Sequence, residues 1–180
     1  DISPQFRNDM RYHGLLSLKS LERAWVKAQT WINYEAFVDR VELKLFELEY
    51  QMELERLRVA CFEKCFECLN TDFDFPFTFP KNSTVSRPKS LARLEEQIIS
   101  IAIVIEFEKE LMKGLENISF SFYLTRKDSE FLYKYWFELY NTFVKRVIEN
   151  FGNNKMLATD LKSYYTNISQ SKLLATLNDR

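Results

Sequence analysis

The sequence predicts an all-α protein, an elongated antiparallel bundle of four to five helices built on one very long central helix with coiled-coil-like packing. Three observations carry this expectation. Glycine and proline are scarce, 3 and 4 in 180 residues, and neither occurs between Leu15 and Phe75. Apolar residues recur at spacings of three and four over roughly five heptads, the mark of a helix laid along another helix. The chain is 46% apolar and 16% aromatic, enough to build a core, and its length suits one helical domain, residues 1–180.

Residues 1–16 read as an N-terminal arm, and 17–70 as a long helix or a helix pair. Tyr34, Val38, Val41, Leu45, Leu48, Met52, Val59, Phe62, Phe66 and Leu69 form a heptad seam broken only by Glu55. Leu18, Leu21, Trp25, Ala28 and Ile32 keep the same spacing out of register with it. The slip near Asn33 is either a stutter in one helix or a tight turn between two. A second stripe, Leu43, Phe46, Tyr50, Leu54, Leu57, Cys61, Cys65 and Cys68, lies well away from the first on a helical wheel. A surface helix needs one apolar face; this one has two. One face is expected to meet its own bundle, the other a further helix or another molecule.

All 3 cysteines fall in CFEKCFEC, residues 61–68. Their spacing admits an iron–sulfur site, or a zinc site completed by His13, the sole histidine. Core packing is the better reading, because the three thiols continue the stripe of Leu54 and Leu57 and free Cys is among the most buried residue types. An odd, clustered set of thiols fits a reduced, intracellular compartment, cytoplasmic or nuclear, with a secreted form as the alternative.

Residues 71–88 change texture. Pro76, Pro80 and Pro88 exclude a continuous helix, and Phe73, Phe75, Phe77 and Phe79 alternate, so an extended loop with its rings mostly on one side is expected. Four exposed phenylalanines would be a solubility liability, so the strip either plugs the bundle's own open end or docks on a partner. Pro88 is expected to open the next helix, 88–116, with Leu91, Leu94, Ile98, Ile101, Ile105, Met112 and Leu115 as its seam, Glu108 as the break, and Gly114 or Asn117 as its stop. The β-branched run from Ile98 to Ile105 lies inside that seam and reads as buried helix. Thr125 to Asp128 resembles a capping box opening a helix over 126–151, and a last helix is expected over 155–177.

Catalytic signatures are sparse. One histidine leaves no histidine-dependent triad and no multi-histidine metal site, and scattered glycines build no phosphate or dinucleotide loop. Neither a cofactor nor a metal is expected, and no small-molecule substrate is evident. The 25 basic and 26 acidic residues nearly cancel, which disfavours nucleic acid. The one pointer to it is Arg7, Arg11, Lys19, Arg23 and Lys27 near Trp25 and Trp31. Glu55 and Glu108 interrupt apolar seams, so each needs a cation, a hydrogen-bond partner or an opening to water. The longest apolar run is too short for a membrane span, and the initial Asp suggests a fragment or processed form.

These features read as a protein–protein interaction module, a scaffold, adaptor or assembly subunit without catalysis, which binds a protein partner or self-associates through helix faces. The expected contacts are Phe46, Tyr50, Leu54 and Leu57 on the second stripe, with Phe73, Phe75, Phe77 and Phe79 in the loop. The alternatives are a secreted helical ligand or pathogen effector, for which Asn82, Asn117 and Asn167 are the sequons, and a nucleic-acid-associated helical subunit.

Overall fold

The computed structural model describes residues 17–34, 39–64, 75–80, 82–84, 86–115, 119–121, 123–151, 157, 159 and 167–178. The described chain is mostly helical, as expected. Its elements are α1 (Leu18–Tyr34), α2 (Arg40–Leu48), α3 (Tyr50–Lys64), β1 (Phe75–Pro80), β2 (Ser86–Leu91), α4 (Leu94–Glu106), α5 (Glu108–Met112), α6 (Trp136–Phe151) and α7 (Gln170–Asn178). Contacts divide the chain into two units, residues 1–142 and 143–180, and the division falls within α6. The packing that follows belongs to the first.

Residues 17–70 are not one helix. Asp39 caps α2, its Oδ1 accepting from the amides of Val41 at 2.9 Å and Glu42 at 3.1 Å, so two orphan donors of a new helix are satisfied there. At Glu49 the backbone leaves helical geometry (φ −129°, ψ 29°). Its amide reaches Phe46 O at 3.3 Å, three residues back, while Glu53 N bonds Glu49 O at 3.0 Å. The ladder is therefore interrupted at Glu49: a tightened bond closes α2, and a new series opens with Glu53 N.

The core lies where α1, α3 and α4 meet, with Leu43 and Phe46 entering from α2. Leu21, Ala24, Trp25, Ala28 and Ile32 line the inward stripe of α1 at spacings of three and four. Trp25 packs on Phe46 with ring centroids 4.7 Å apart. The β-branched run is helical and supplies Ile98, Ile99, Ile101, Ala102 and Ile105. Tertiary burial decides its state over local strand propensity.

Three expected boundaries move. The Phe/Pro strip is not an isolated extended loop: its residues from Phe75 form β1, paired antiparallel with β2 in the register Phe77↔Lys89, Thr78↔Pro88 and Phe79↔Arg87. In a two-stranded ribbon every strand is an edge, so the three prolines lose no central ladder bond. The turn is tied by Asn82, whose Oδ1 accepts from Thr84 N at 3.0 Å. Pro88 thus sits in β2, and the helix begins six residues later, where Arg93 N donates to Glu96 Oε2 at 3.3 Å. That helix is interrupted at Phe107 before α5 closes at Met112. Gly114 then adopts φ 83°, a left-handed stop that costs glycine little.

The third correction concerns residues 123–134. Thr125 does not cap a helix, and α6 starts only at Trp136. The segment folds back on itself through the Leu124↔Tyr133 bridge, with Thr125 N on Leu132 O at 3.0 Å and Lys134 N on Tyr123 O at 2.7 Å. Its turn is closed around Lys27 of α1. The Lys27 side chain is 1% exposed, and its ammonium donates to Thr125 Oγ1 (3.0 Å) and to the carbonyls of Arg126 (3.1 Å), Ser129 (2.7 Å) and Phe131 (2.8 Å). Beside it Thr30 Oγ1 donates to Glu130 O at 3.0 Å. Burial pushes the Lys27 pKa down, and the carboxylates of Glu108 and Asp128 push it partly back up. In the second unit the helix expected over 155–177 is shorter: α7 runs Gln170–Asn178, and residues 157, 159, 168 and 169 are not helical.

Lys27→Met is expected to destabilise the fold by about 2 kcal/mol or more, because it removes the ammonium that the 125–131 turn closes on and takes from Ser129 O its donor. Urea unfolding measures this, and amide exchange at Thr125 and Lys134 should accelerate in the variant. Gly114→Ala meets no atom within 4 Å of the added Cβ, so its expected cost is backbone strain alone, about 1 kcal/mol.

Candidate interaction surface

Helices α2 and α3 carry apolar side chains on two opposite sides. At ~100° per residue the stripe Leu43, Phe46, Leu54, Leu57, Cys61 and the seam Val41, Leu45, Leu48, Met52, Val59 lie about half a turn apart. The structure decides which is inside. Leu43, Phe46, Leu54, Leu57 and Cys61 are all buried in the core cluster. The seam faces outward, from 36% exposure at Val59 to 79% at Leu48, with Val41, Leu45 and Met52 between.

This reverses the expected assignment of the two faces. Phe46, Leu54 and Leu57, anticipated as partner contacts, are the chain's own core, and Tyr50 sits at its edge, 37% exposed. Phe77 of the strip is half-buried and Phe79 exposed, while Phe75 lies in β1 and Phe73 outside the described residues. Cys61 fills core volume; Cys65, Cys68 and His13 are outside the described residues. The sequence held one hint of this, short of a decision: the inward stripe is unbroken from Leu43 to Cys61, whereas the seam carries Glu55. A carboxylate in an apolar row marks the face that water reaches.

Glu55 shows how that position is tolerated. Arg58 donates from Nε to Glu55 Oε2 at 2.8 Å and from Nη2 to Oε1 at 2.5 Å, a two-bond fork on the exposed face. The Arg58 hydrogen bonds hold the Glu55 carboxyl below its ordinary pKa. Lys44 pairs with Glu47 at 2.5 Å one turn along. Glu108, the other seam carboxylate, is half-buried and acts on Lys27 through space.

A second feature lies where α1, α2 and α4 meet. A cavity of about 10 Å³, room for about one water molecule, is lined by Ile32, Asp39, Glu42, Leu43, Ala92, Leu94 and Gln97. Glu95 nearby accepts on Oε1 from Arg56 at 3.2 Å and Arg93 at 3.4 Å. Its Oε2 is buried with no hydrogen-bond partner among the described residues. Burial, and then the Glu95 charge, raise the Glu42 pKa, while the Leu94 amide and Arg93 oppose the rise. No group of three or more His, Cys, Asp or Glu side chains among the described residues could hold a metal ion. The basic N-terminal segment also reads differently in three dimensions: Lys27 and Trp25 are buried, and Lys19 and Arg23 are exposed. No helix among the described residues is long and apolar enough to cross a membrane.

The face assignment predicts opposite outcomes for two similar substitutions. Leu54→Ala should cost about 3 kcal/mol through the cavity it leaves. Leu48→Ala should change the stability of the dilute chain by no more than about 0.5 kcal/mol. Thermal or urea unfolding compares them directly. Glu42 predicts a pH dependence. Its folded pKa is raised, so between the ordinary carboxylate range and the raised value the folded chain binds more protons than the unfolded one. Stability from this group is therefore greatest in mild acid and falls as pH rises through that window. Glu42→Gln should accordingly raise the melting temperature at neutral pH, and the gain should vanish below about pH 4. Compared with known proteins, the chain matches no family model, no curated protein and no solved structure.

Proposed function

We propose that this chain is a protein–protein interaction module, a scaffold or assembly subunit that binds through the outward face of α2 and α3 rather than by catalysis. One observation carries the reading. Val41, Leu45, Leu48, Met52 and Val59 form an apolar row, interrupted only at Glu55, on the side of α2–α3 away from the core. Single exposed apolar residues are ordinary, but a row at helical spacing marks a surface that another chain covers. Large aliphatic side chains flanked by charges are the composition of a helix-on-helix contact, in which the apolar row gives affinity and the flanks give specificity. Phe79 on the hairpin is a further exposed anchor. Of the contacts expected from sequence, Phe46, Leu54 and Leu57 thus give way to the seam, and Phe79 is kept.

The test is a photo-crosslinking residue placed at Leu48 in the native cells, with Arg23 on the exposed side of α1 as the control site. A discrete protein adduct from position 48 and none from position 23 is the expected result. The absence of any protein adduct at Leu48 and at Leu45 would remove the reading. A secreted helical ligand is the second reading, favoured by the exposure of Asn82 and Asn167. Glycan at those sites on the native protein would select it, and unmodified asparagines would reject it.

A further inference from the structure

We propose that the occupant of the α2–α3 face is a second copy of this chain, packed parallel and in register. Lys44 of each chain then lies against Glu49 of the partner subunit. The inference rests on the interaction reading above and names its partner.

Position along the helix comes first. Taking Leu45, Met52 and Val59 as heptad a positions puts Val41 and Leu48 at d, and all five are exposed. The ladder is interrupted at Glu49, yet the row stays on one side across the step, because Leu43, Phe46, Leu54, Leu57 and Cys61 are buried and the five seam residues exposed on both sides of it. A seam of this kind fits the same seam on another helix, where each side chain enters a gap between four others. Residues 40–64 span ~37 Å of helix at 1.5 Å per residue, long enough for a few heptads and short enough to give a reversible dimer.

Charge chooses the partner and the direction. The flanking e positions hold Glu42, Glu49 and Arg56, and the g positions hold Lys44, Gln51 and Arg58. In a parallel pair g faces the partner's following e, which sets Lys44 opposite Glu49 twice across the dimer axis and Gln51 opposite Arg56. In an antiparallel pair like flanks meet, which sets Lys44 against Arg58 twice and Glu49 against itself. The antiparallel arrangement would regain only Glu42 against Arg56. Those groups are already committed within the chain: Arg56 bonds Glu53 at 2.6 Å and Glu95 at 3.2 Å, and Glu42 is half-buried against the Leu94 amide. Glu49 carries no ion pair among the described residues, and Lys44 holds Glu47 only in an exposed pair, the kind that rearranges at little cost.

Glu55 occupies the d position between Met52 and Val59. In the in-register pair it faces Glu55 of the partner subunit, and each carboxylate is matched by the fork from its own Arg58. A polar position inside an apolar seam penalises shifted pairings, in which it would face an aliphatic side chain, and so holds the two copies in register. The face is thus self-complementary in its apolar seam and in its Lys44–Glu49 flanks, with its single polar step in register.

Sedimentation equilibrium of the full chain over a wide concentration range tests this. The variants are Leu45→Glu with Leu48→Glu, Lys44→Glu, Glu49→Lys, and an equimolar mixture of the last two. Circular dichroism establishes that each is folded. The expected result is a reversible dimer that the double leucine variant reduces to a folded monomer. Either single charge reversal should weaken it roughly fivefold to thirtyfold. The mixture should recover the original affinity, because the opposed charges then meet only between unlike chains. A wild-type chain that stays monomeric at every concentration, or a dimer that the leucine variant leaves intact, overturns the proposal. Weakening without recovery in the mixture overturns the parallel pairing. A monomer whose position 48 still crosslinks to a different protein defeats the dimer and leaves the interaction reading in place; a monomer with no adduct defeats both.

Discussion

The buried ammonium of Lys27 is the constraint on which much of the first unit depends. A lone cation in a protein interior is tolerated only when polar groups replace its water. Here the replacement is three backbone carbonyls and one side-chain hydroxyl, all from residues 125–131. An ammonium has three N–H donors for these four oxygens, so the bonds are shared and the turn must keep its shape to supply them. Within the segment Arg126 O also accepts from Ser129 N and Phe131 O from Thr125 Oγ1, and Ser129 O turns to the ammonium. Each side meets a need of the other, and the contact ties the middle of α1 to a stretch about a hundred residues away.

The consequences run outward from that point. With the 125–131 turn held on α1, Leu124 and Leu132 on its two arms reach the core cluster, and Trp31 stacks edge-on to Tyr133 at 5.4 Å. The inward stripe of α1 is thereby covered by α4, by α3 and by this turn. What remains of α3, together with α2, has only one side left to bury. The seam face stays outside because the core already has its complement of helices.

Several parts of this arrangement were legible in the residues. Spacings of three and four marked α1 and α4 as packed helices, and they outweighed the β-branched character of the run from Ile98 to Ile105. The two-sided nature of residues 40–64 was equally plain, as was the need of Glu55 for a cation, a hydrogen-bond partner or an opening to water. Other parts were not legible, because they depend on pairings distant in sequence. Proline at 88 suits a helix start and an edge strand alike, and only its position opposite Thr78 separates the two. Thr125 to Asp128 has the letters of a capping box, but its hydroxyl is taken by Lys27. Lys27 itself reads as one more basic residue on a solvated face, since nothing local announces a cage built from the other half of the unit.

The same division applies to the candidate surface. By itself the sequence determined that the chain is mostly helical, that α1 and α4 present apolar stripes, and that the helix between them is apolar on two sides. Those properties follow from composition and period, which are local. Only the tertiary structure decided which of the two sides is core, since both offer similar aliphatic area and the choice is made by what packs against them. It also decided the boundaries at Asp39, Leu94 and Trp136, where a cap, a hairpin and a caged lysine compete with helix propensity and prevail through contacts that no window of neighbouring residues contains.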